Sequence, residues 1–412
     1  MSAKKNSKND SSNDFQDEIL SVSSEAITDS DNVILNTDLS LLYKERREML
    51  SNYMTAENIF AIVFEDSEDK SDASIRYFTG HPSDALLIVT SDGKNILIPW
   101  DENLAAMKAH ADSVIPYTKF NRVNINAVKG VLLPLLKNNK KNVVELPPST
   151  PYPTFLKYVD ALEGFDVRCR ENSIHEFVAN LRSVKDFYEI ACTKKAAQIT
   201  CRITDLIEKK LRSGAIKTES DVALLIEKEC RSSGCERTGF DTLAAGPSRS
   251  FAIHAFPGYT SGLWGSDGLS ILDYGVVFNG YTSDATITIA KGNLSAKQEK
   301  LLSLVQKAAD SCLPLYKAFG KICDASNKAD EIFSKAKLNM PHGLGHGTGL
   351  EIHEYPFVSH RATSEEEFIP GMIVTLEPGL YDPKLGGVRL ENDVLICEDG
   401  NVVLTNSRII RL

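Results

Sequence analysis

Long hydrophobic runs are missing from this 412-residue chain, and so is any surplus of positive charge. No apolar stretch approaches the roughly 18 residues that carry a helix across a bilayer, so no membrane contact is expected. Lysine and arginine number 46 against 56 acids, a net charge of -10, whereas a nucleic-acid surface needs the opposite balance. Cysteine is sparse: eight residues, none in C-x-x-C spacing, which removes the usual signals for a structural zinc site or a thioredoxin-like motif. Scattered thiols suit a reducing compartment. The opening stretch has no apolar segment of signal-peptide length, so the cytoplasm is the expected address. Also missing are a G-x-x-x-x-G-K-[ST] phosphate loop, an H-E-x-x-H motif and any repeat at solenoid spacing.

What is present is ordinary in bulk: 42% hydrophobic and 25% charged residues, enough for one large core and one smaller one. Residues 1–38 are rich in Ser, Asn and Asp and read as a disordered polar tail. Residues 39–173 read as a smaller α/β domain. There NIFAIVF and IRYFTG look like short buried strands, Asp92-Gly93 marks a turn between two more, and a helix is expected over Glu102–His110. Residues 174–412 form the second domain. Its helices are announced by capping-box patterns at Ser183/Asp186, Thr218/Asp221 and Ser295/Gln298, and Ile199, Ile203 and Leu206 recur at helical spacing.

Three pieces of the second domain carry chemistry. In ILDYGVVFNGYTSDATITIA the Asn279-Gly280 turn sets Phe278 opposite Tyr281 and Asp273 opposite Thr286. Asp284 then lies diagonally from Asp273 on the same face, about 7–8 Å away at the backbone, near enough to share cations. One such acid would be an ordinary solvated strand residue; two on one face amid apolar neighbours favour binding. MPHGLGHGTGLEIHEYP gathers His342, His346 and His353 in a glycine-rich loop, from a chain with only eight histidines, which favours ligation or proton transfer. In IVTLEPGLYDPKLGGVRLENDVLI, Glu377 ends one apolar strand and Glu391 sits in the next, two residues after Arg389. An acid there is expensive unless it is paired, with Arg389 or another cation, or bound to metal. Four carboxylates are more than one divalent ion needs. With one imidazole they suit manganese, cobalt or iron better than a thiolate zinc site.

These segments resemble the pita-bread metallopeptidases, the family of aminopeptidase P, prolidase and methionine aminopeptidase. The resemblance implies an α+β pita-bread (creatinase/aminopeptidase) catalytic domain preceded by a creatinase-like domain. It maps the family's metal ligands onto Asp273, Asp284, His346, Glu377 and Glu391, holding two divalent ions, with manganese expected first and cobalt, iron or zinc as alternatives. It makes His254, in FAIHAFPG, and His353 catalytic along with Glu377, which would shuttle the proton. His342 would line a proline pocket. Arg389 would orient a ligand or grip a substrate carboxylate. The implied reaction is hydrolysis of an N-terminal Xaa-Pro bond in a peptide by a metal-bridging water, as an aminopeptidase, with Xaa-Pro dipeptidase as the alternative, in a homodimer.

One departure stands out: the family often reads S-D-x-T-R-T where this chain reads SDATIT, with Ile287 at the arginine's place. Being one step from Thr286, Ile287 is expected on the face away from the metals, in packing or a subunit contact. Two rivals remain open: a metal-free amidinohydrolase on the same fold, and a non-catalytic pita-bread peptide-binding module. Both would normally have lost ligands that are intact here.

Overall fold

Runs that are apolar without alternation build the first sheet, because both of its faces are covered. A computed structural model describes residues 29–68, 70–136 and 142–412. Its N-terminal half holds six strands in the order Ser113–Val114, Asn95–Pro99, Ala85–Thr90, Ala61–Asp66, Val143–Glu145 and Asp166–Arg168. Along Ala61–Asp66, Ile62 and Phe64 enter one core while Ala61 and Val63 enter another, the period of two expected of a strand. The Asp92-Gly93 turn is present, with Gly93 at φ 85. The expected helix begins at Glu102, capped by Asp101, and ends at Lys108.

Three local readings need correction. IRYFTG is not a strand but most of the helix Ser74–Thr79, ended by Gly80 in the left-handed region at φ 74. Asp72 accepts a hydrogen bond from the Ser74 N–H at its start, and every residue of the helix except Arg76 is buried, which erases the polar stripe that periodicity reads. The polar tail falls largely on residues 1–28, outside the described residues. Residues 30–36, however, form a helix capped by the Asp29 side chain, with Asp31 paired to Lys195 at 2.7 Å. The capping box expected at Ser183/Asp186 is three residues late: Asp186 itself caps the helix Phe187–Arg212, with Glu189 as its reciprocal partner. Ser183 instead ends the helix Ile174–Ser183, whose Ile174 and Val178 pack into the N-terminal core. The boxes at Thr218/Asp221 and Ser295/Gln298 are present.

The C-terminal half is built on a nine-stranded sheet. Its main path runs Glu354–Val358, Gly345–Gly347, Ile373–Leu376, Glu391–Cys397, Ala285–Lys291, Gly268–Tyr274 and Leu243–Ala245. Two helix pairs cover it. Phe187–Arg212 and Glu219–Ser232 bury Ile199, Ile203, Ile207 and Val222 against Leu272, Ile287 and Ile289. Ala296–Cys312 and Ile322–Lys335 close over Val374, Val394 and Ile396. Ile287 is 1% exposed in the first of these cores, so the departure from the family pattern is a matter of packing. Among the described residues no helix is long and apolar enough to cross a membrane.

Candidate metal centre

Five neighbouring strands bring the acids together. Asp273 pairs across the hairpin with Thr286, and Thr286 pairs on its other side with Glu391, so three adjacent strands put these side chains in one row. Glu377 follows the next strand, Ile373–Leu376, and His346 is the middle residue of the strand after that. The hairpin keeps the register read from sequence: Asn279 at φ 48 and Gly280 at φ 91 form the turn, with Phe278 opposite Tyr281. Gly275 lets its strands close, since a Cβ there would lie 1.7 Å from the Ser283 carbonyl oxygen.

Asp284, His346 and Glu391 each offer a ligand atom within 4.8 Å of the others. His346 Nε2 lies 3.7 Å from both Asp284 Oδ2 and Glu377 Oε1. Its Nδ1 is 3.1 Å from the Gly347 carbonyl, which can only accept, so the proton resides on Nδ1 and Nε2 presents its lone pair to the carboxylates. Thr286 Oγ1 donates to Glu391 Oε2 at 2.7 Å. The Asp284 N–H donates to Asp393 Oδ2 at 2.8 Å, which fixes the backbone at that position.

The electrostatics call for cations. Asp273, Glu377 and Glu391 crowd around one guanidinium, Arg389, and Asp284 lies close to all three acids. Burial, then Glu391 and Asp273, drives the Asp284 carboxyl well above its usual range. Burial, then Glu377 and Asp273, does the same to Glu391. Glu377 is pushed up to about 8, chiefly by burial, against the opposing pull of Arg389. The histidines give no compensating charge, because burial lowers His342 and His346 to about 4. One oxygen each of Asp273 and Asp284 is buried with no hydrogen-bond partner. Orphaned carboxylate oxygens in a crowd of like charges fit a site for hard divalent cations, and the donor set matches.

The remaining expected residues ring this cluster. The His353 ring lies 4.4 Å from that of His346 and is exposed. His254 is also exposed, close enough that its charge would bear on both His342 and His353. Arg389 is 2% exposed and held entirely by protein groups. Its Nη2 donates to Asp273 Oδ2 at 2.6 Å, its Nε to Thr286 Oγ1, and its Nη1 to the Ile253 carbonyl and the Tyr381 hydroxyl. It is therefore not placed to grip a substrate carboxylate, and its ion-pair partner is Asp273 rather than Glu391.

Sequence reasoning missed Tyr381 and Asp393. The Tyr381 hydroxyl accepts from Arg389 at 2.8 Å and lies 3.0 Å from His342 Nε2. His342 Nδ1 faces the Gly343 carbonyl at 2.7 Å, so Nδ1 carries the proton and Tyr381 donates to Nε2. A hydrogen-bonded chain thus ties Asp273 through Arg389 and Tyr381 to His342. Nothing in the local pattern marks a tyrosine in a short strand as part of such a chain. Asp393, in Glu391-Asn392-Asp393, carried the signal of an acid inside an apolar strand, and burial pushes it up to about 7.

Comparison with known proteins agrees with this geometry. Metallopeptidase family M24 matches residues 191–398, just over half of the chain, and the creatinase/prolidase N-terminal domain matches 46–184. The Xaa-Pro dipeptidase of Pyrococcus furiosus is 30% identical over 368 residues, spanning 88% of this chain and 98% of that protein. A crystal structure of an X-Pro aminopeptidase from Thermotoga maritima superposes with a TM-score of 0.75 at 25% identity, over 89% of this chain and 99% of that one. The prolidase from Pyrococcus furiosus does so with 0.73 at 26%, over 86% and 99%. With both domains matched, this chain belongs to metallopeptidase family M24, the pita-bread peptidases, and is a metal-dependent hydrolase.

Proposed function

We propose that this protein hydrolyses the bond between a first residue and a following proline, using two divalent ions held by Asp273, Asp284, His346, Glu377 and Glu391. The observation that carries the reading is the cluster of Asp284, Glu377 and Glu391 about the unprotonated Nε2 of His346, with Asp273 beside them on the Arg389 guanidinium. Bound there, the ions, manganese first among the candidates, would polarise the scissile carbonyl and lower the pKa of the attacking water. Glu377 takes the proton of that water and delivers it to the proline nitrogen. His353 and His254, exposed beside the cluster, donate to the oxygen on which charge develops. His342, fixed by Tyr381, forms one wall for the proline ring. Arg389 is a positioning residue that holds Asp273 in line. A homodimer in the cytoplasm completes the proposal.

Between dipeptidase and aminopeptidase, the long match to the Pyrococcus Xaa-Pro dipeptidase favours the former, while the Thermotoga X-Pro aminopeptidase structure keeps the latter open. The test is a paired assay on metal-reconstituted protein with Xaa-Pro dipeptides and Xaa-Pro-Yaa tripeptides, with and without chelator. Chelator-sensitive turnover of dipeptides alone marks a dipeptidase, and turnover of tripeptides an aminopeptidase. Metal binding without cleavage of either overturns the proposal. Glu377→Gln should retain most of the bound metal while kcat falls by at least about 100-fold; full activity in that variant would remove Glu377 from its role.

A further inference from the structure

Two thiols meet at the end of the helix Glu219–Ser232, within the core that covers Leu272 and Ile287 and so across the sheet from the metal ligands. The helix closes on Gly234 at φ 81. The Gly234 N–H donates to the Arg231 carbonyl at 3.1 Å and the Cys235 N–H to the Cys230 carbonyl at 3.2 Å. This pair of bonds is a Schellman cap, a geometry that folds the residue after the glycine back onto the helix three places before the cap, where two apolar side chains usually touch. Here both positions are cysteine. Both side chains lie in the same buried core, and all eight cysteines of the chain are free. The backbone has already performed the closure that a disulfide between these positions needs.

We propose that Cys230 and Cys235 are a disulfide-forming pair, oxidised within one chain by hydrogen peroxide and restored by thiol reductants. Cys235 is 6% exposed at a helix end flanked by the exposed residues Arg231, Gly234 and Glu236, so a small oxidant reaches it from solvent. Peroxide therefore meets Cys235 first: its sulfur attacks one peroxide oxygen, the O–O bond breaks, a sulfenic acid forms, and the thiol proton leaves with the departing hydroxide as water. Cys230, which is fully buried, then attacks the Cys235 sulfur; its proton leaves with the hydroxyl as a second water, and the S–S bond closes. Two thiols are oxidised and one peroxide is reduced to two waters. The bond staples the helix end to the segment that begins with Glu236, whose carboxylate pairs with Arg76 of the N-terminal half at 2.5 Å.

The test uses the full chain, reduced and then titrated with hydrogen peroxide, with remaining thiols alkylated before trypsin digestion. Trypsin cuts at Arg231, between the two cysteines, so the disulfide appears as two short peptides joined together. The expected result is that this joined pair forms before any other thiol is consumed, and dithiothreitol separates it. In Cys230→Ser the joined pair is absent and Cys235 is trapped by dimedone as sulfenic acid. Recovery of both peptides alkylated while other cysteines are already oxidised would overturn the proposal, as would accumulation of unlinked sulfinic acid on Cys235 in the unmodified sequence.

Discussion

Glu354, one residue after the exposed His353, is fully buried, and its carboxylate receives Arg182 at 2.5 Å and Lys185 at 3.2 Å. Burial alone would raise its pKa; Arg182 and then Lys185 overcome this and hold it down to about 2. A carboxylate depressed by folding adds stability above its unfolded value, and that stability is lost as pH falls from about 4.5 toward 2. Glu354→Gln leaves Lys185 buried without its carboxylate partner and should lose about 3 kcal/mol at pH 7. Urea unfolding at pH 7 and at pH 3 checks this, with the gap between variant and parent narrowing at the lower pH. An unchanged midpoint at pH 7 would mean that the triad adds nothing. Asp284, His346 and Glu391, whose ligand atoms the fold brings within 4.8 Å of one another, were legible in sequence because each is a polar donor in an apolar or glycine-rich context that would otherwise be expensive. The partner of Arg389 was not. Glu391 is its neighbour along the chain, but Asp273 reaches it only through a sheet order that local spacing does not encode.

Among the elements, the ligand hairpin was read correctly down to its register because Asn-Gly dictates a two-residue turn and alternation then fixes every pair. IRYFTG was misread for the converse reason: a buried helix of six residues has too few turns to show a period, and β-branched and aromatic residues look strand-like in isolation. Capping boxes at Thr218 and Ser295 were sound, yet Ser183/Asp186 matched the same pattern while the true cap lay at its last residue. The hairpin also makes a sharp demand. At Gly275 a methyl group would lie 1.7 Å from the backbone oxygen of Ser283, and a carbonyl fixed between the strands Tyr281–Thr282 and Ala285–Lys291 cannot yield without disturbing them. Gly275→Ala should therefore lower stability by at least about 2 kcal/mol and separate Asp273 from Asp284. Thermal melting and metal content by mass spectrometry report the two effects. A variant that melts like the parent and binds its full metal complement would show that the hairpin tolerates the strain.

At the scale of the whole molecule, the two halves are joined by charge as much as by apolar surface. Arg46 belongs to the N-terminal helix Leu39–Ala56 and is 2% exposed. It donates to Asp186 Oδ2 at 2.6 Å, lies 3.4 Å from Glu189 Oε2, and gives its other amino group to the Tyr77 carbonyl at 2.8 Å. Asp186 and Glu189 are the capping box of the long helix Phe187–Arg212, so one guanidinium fastens the first domain onto the start of the helix that supports the catalytic sheet. Two domains of ordinary size were readable from length and composition. The seam was not, since Arg46 and Asp186 are 140 residues apart and each alone looks like a solvated charge. Without Arg46, burial and the adjacent Asp186 are opposed on Glu189 only by Lys185 and the Asp186 N–H, and its pKa is already raised to about 8. Arg46→Met keeps the length and apolar stem but strands these two acids and the Tyr77 carbonyl, which should lower stability by about 3 kcal/mol or more. Because the lost bonds cross between the halves, cooperativity should fall as well. Melting followed by calorimetry should resolve into two transitions, and limited proteolysis should release the N-terminal half first. A single sharp transition at the parent's temperature would instead place the coupling in the apolar packing of Tyr188 and Cys192 against the first core.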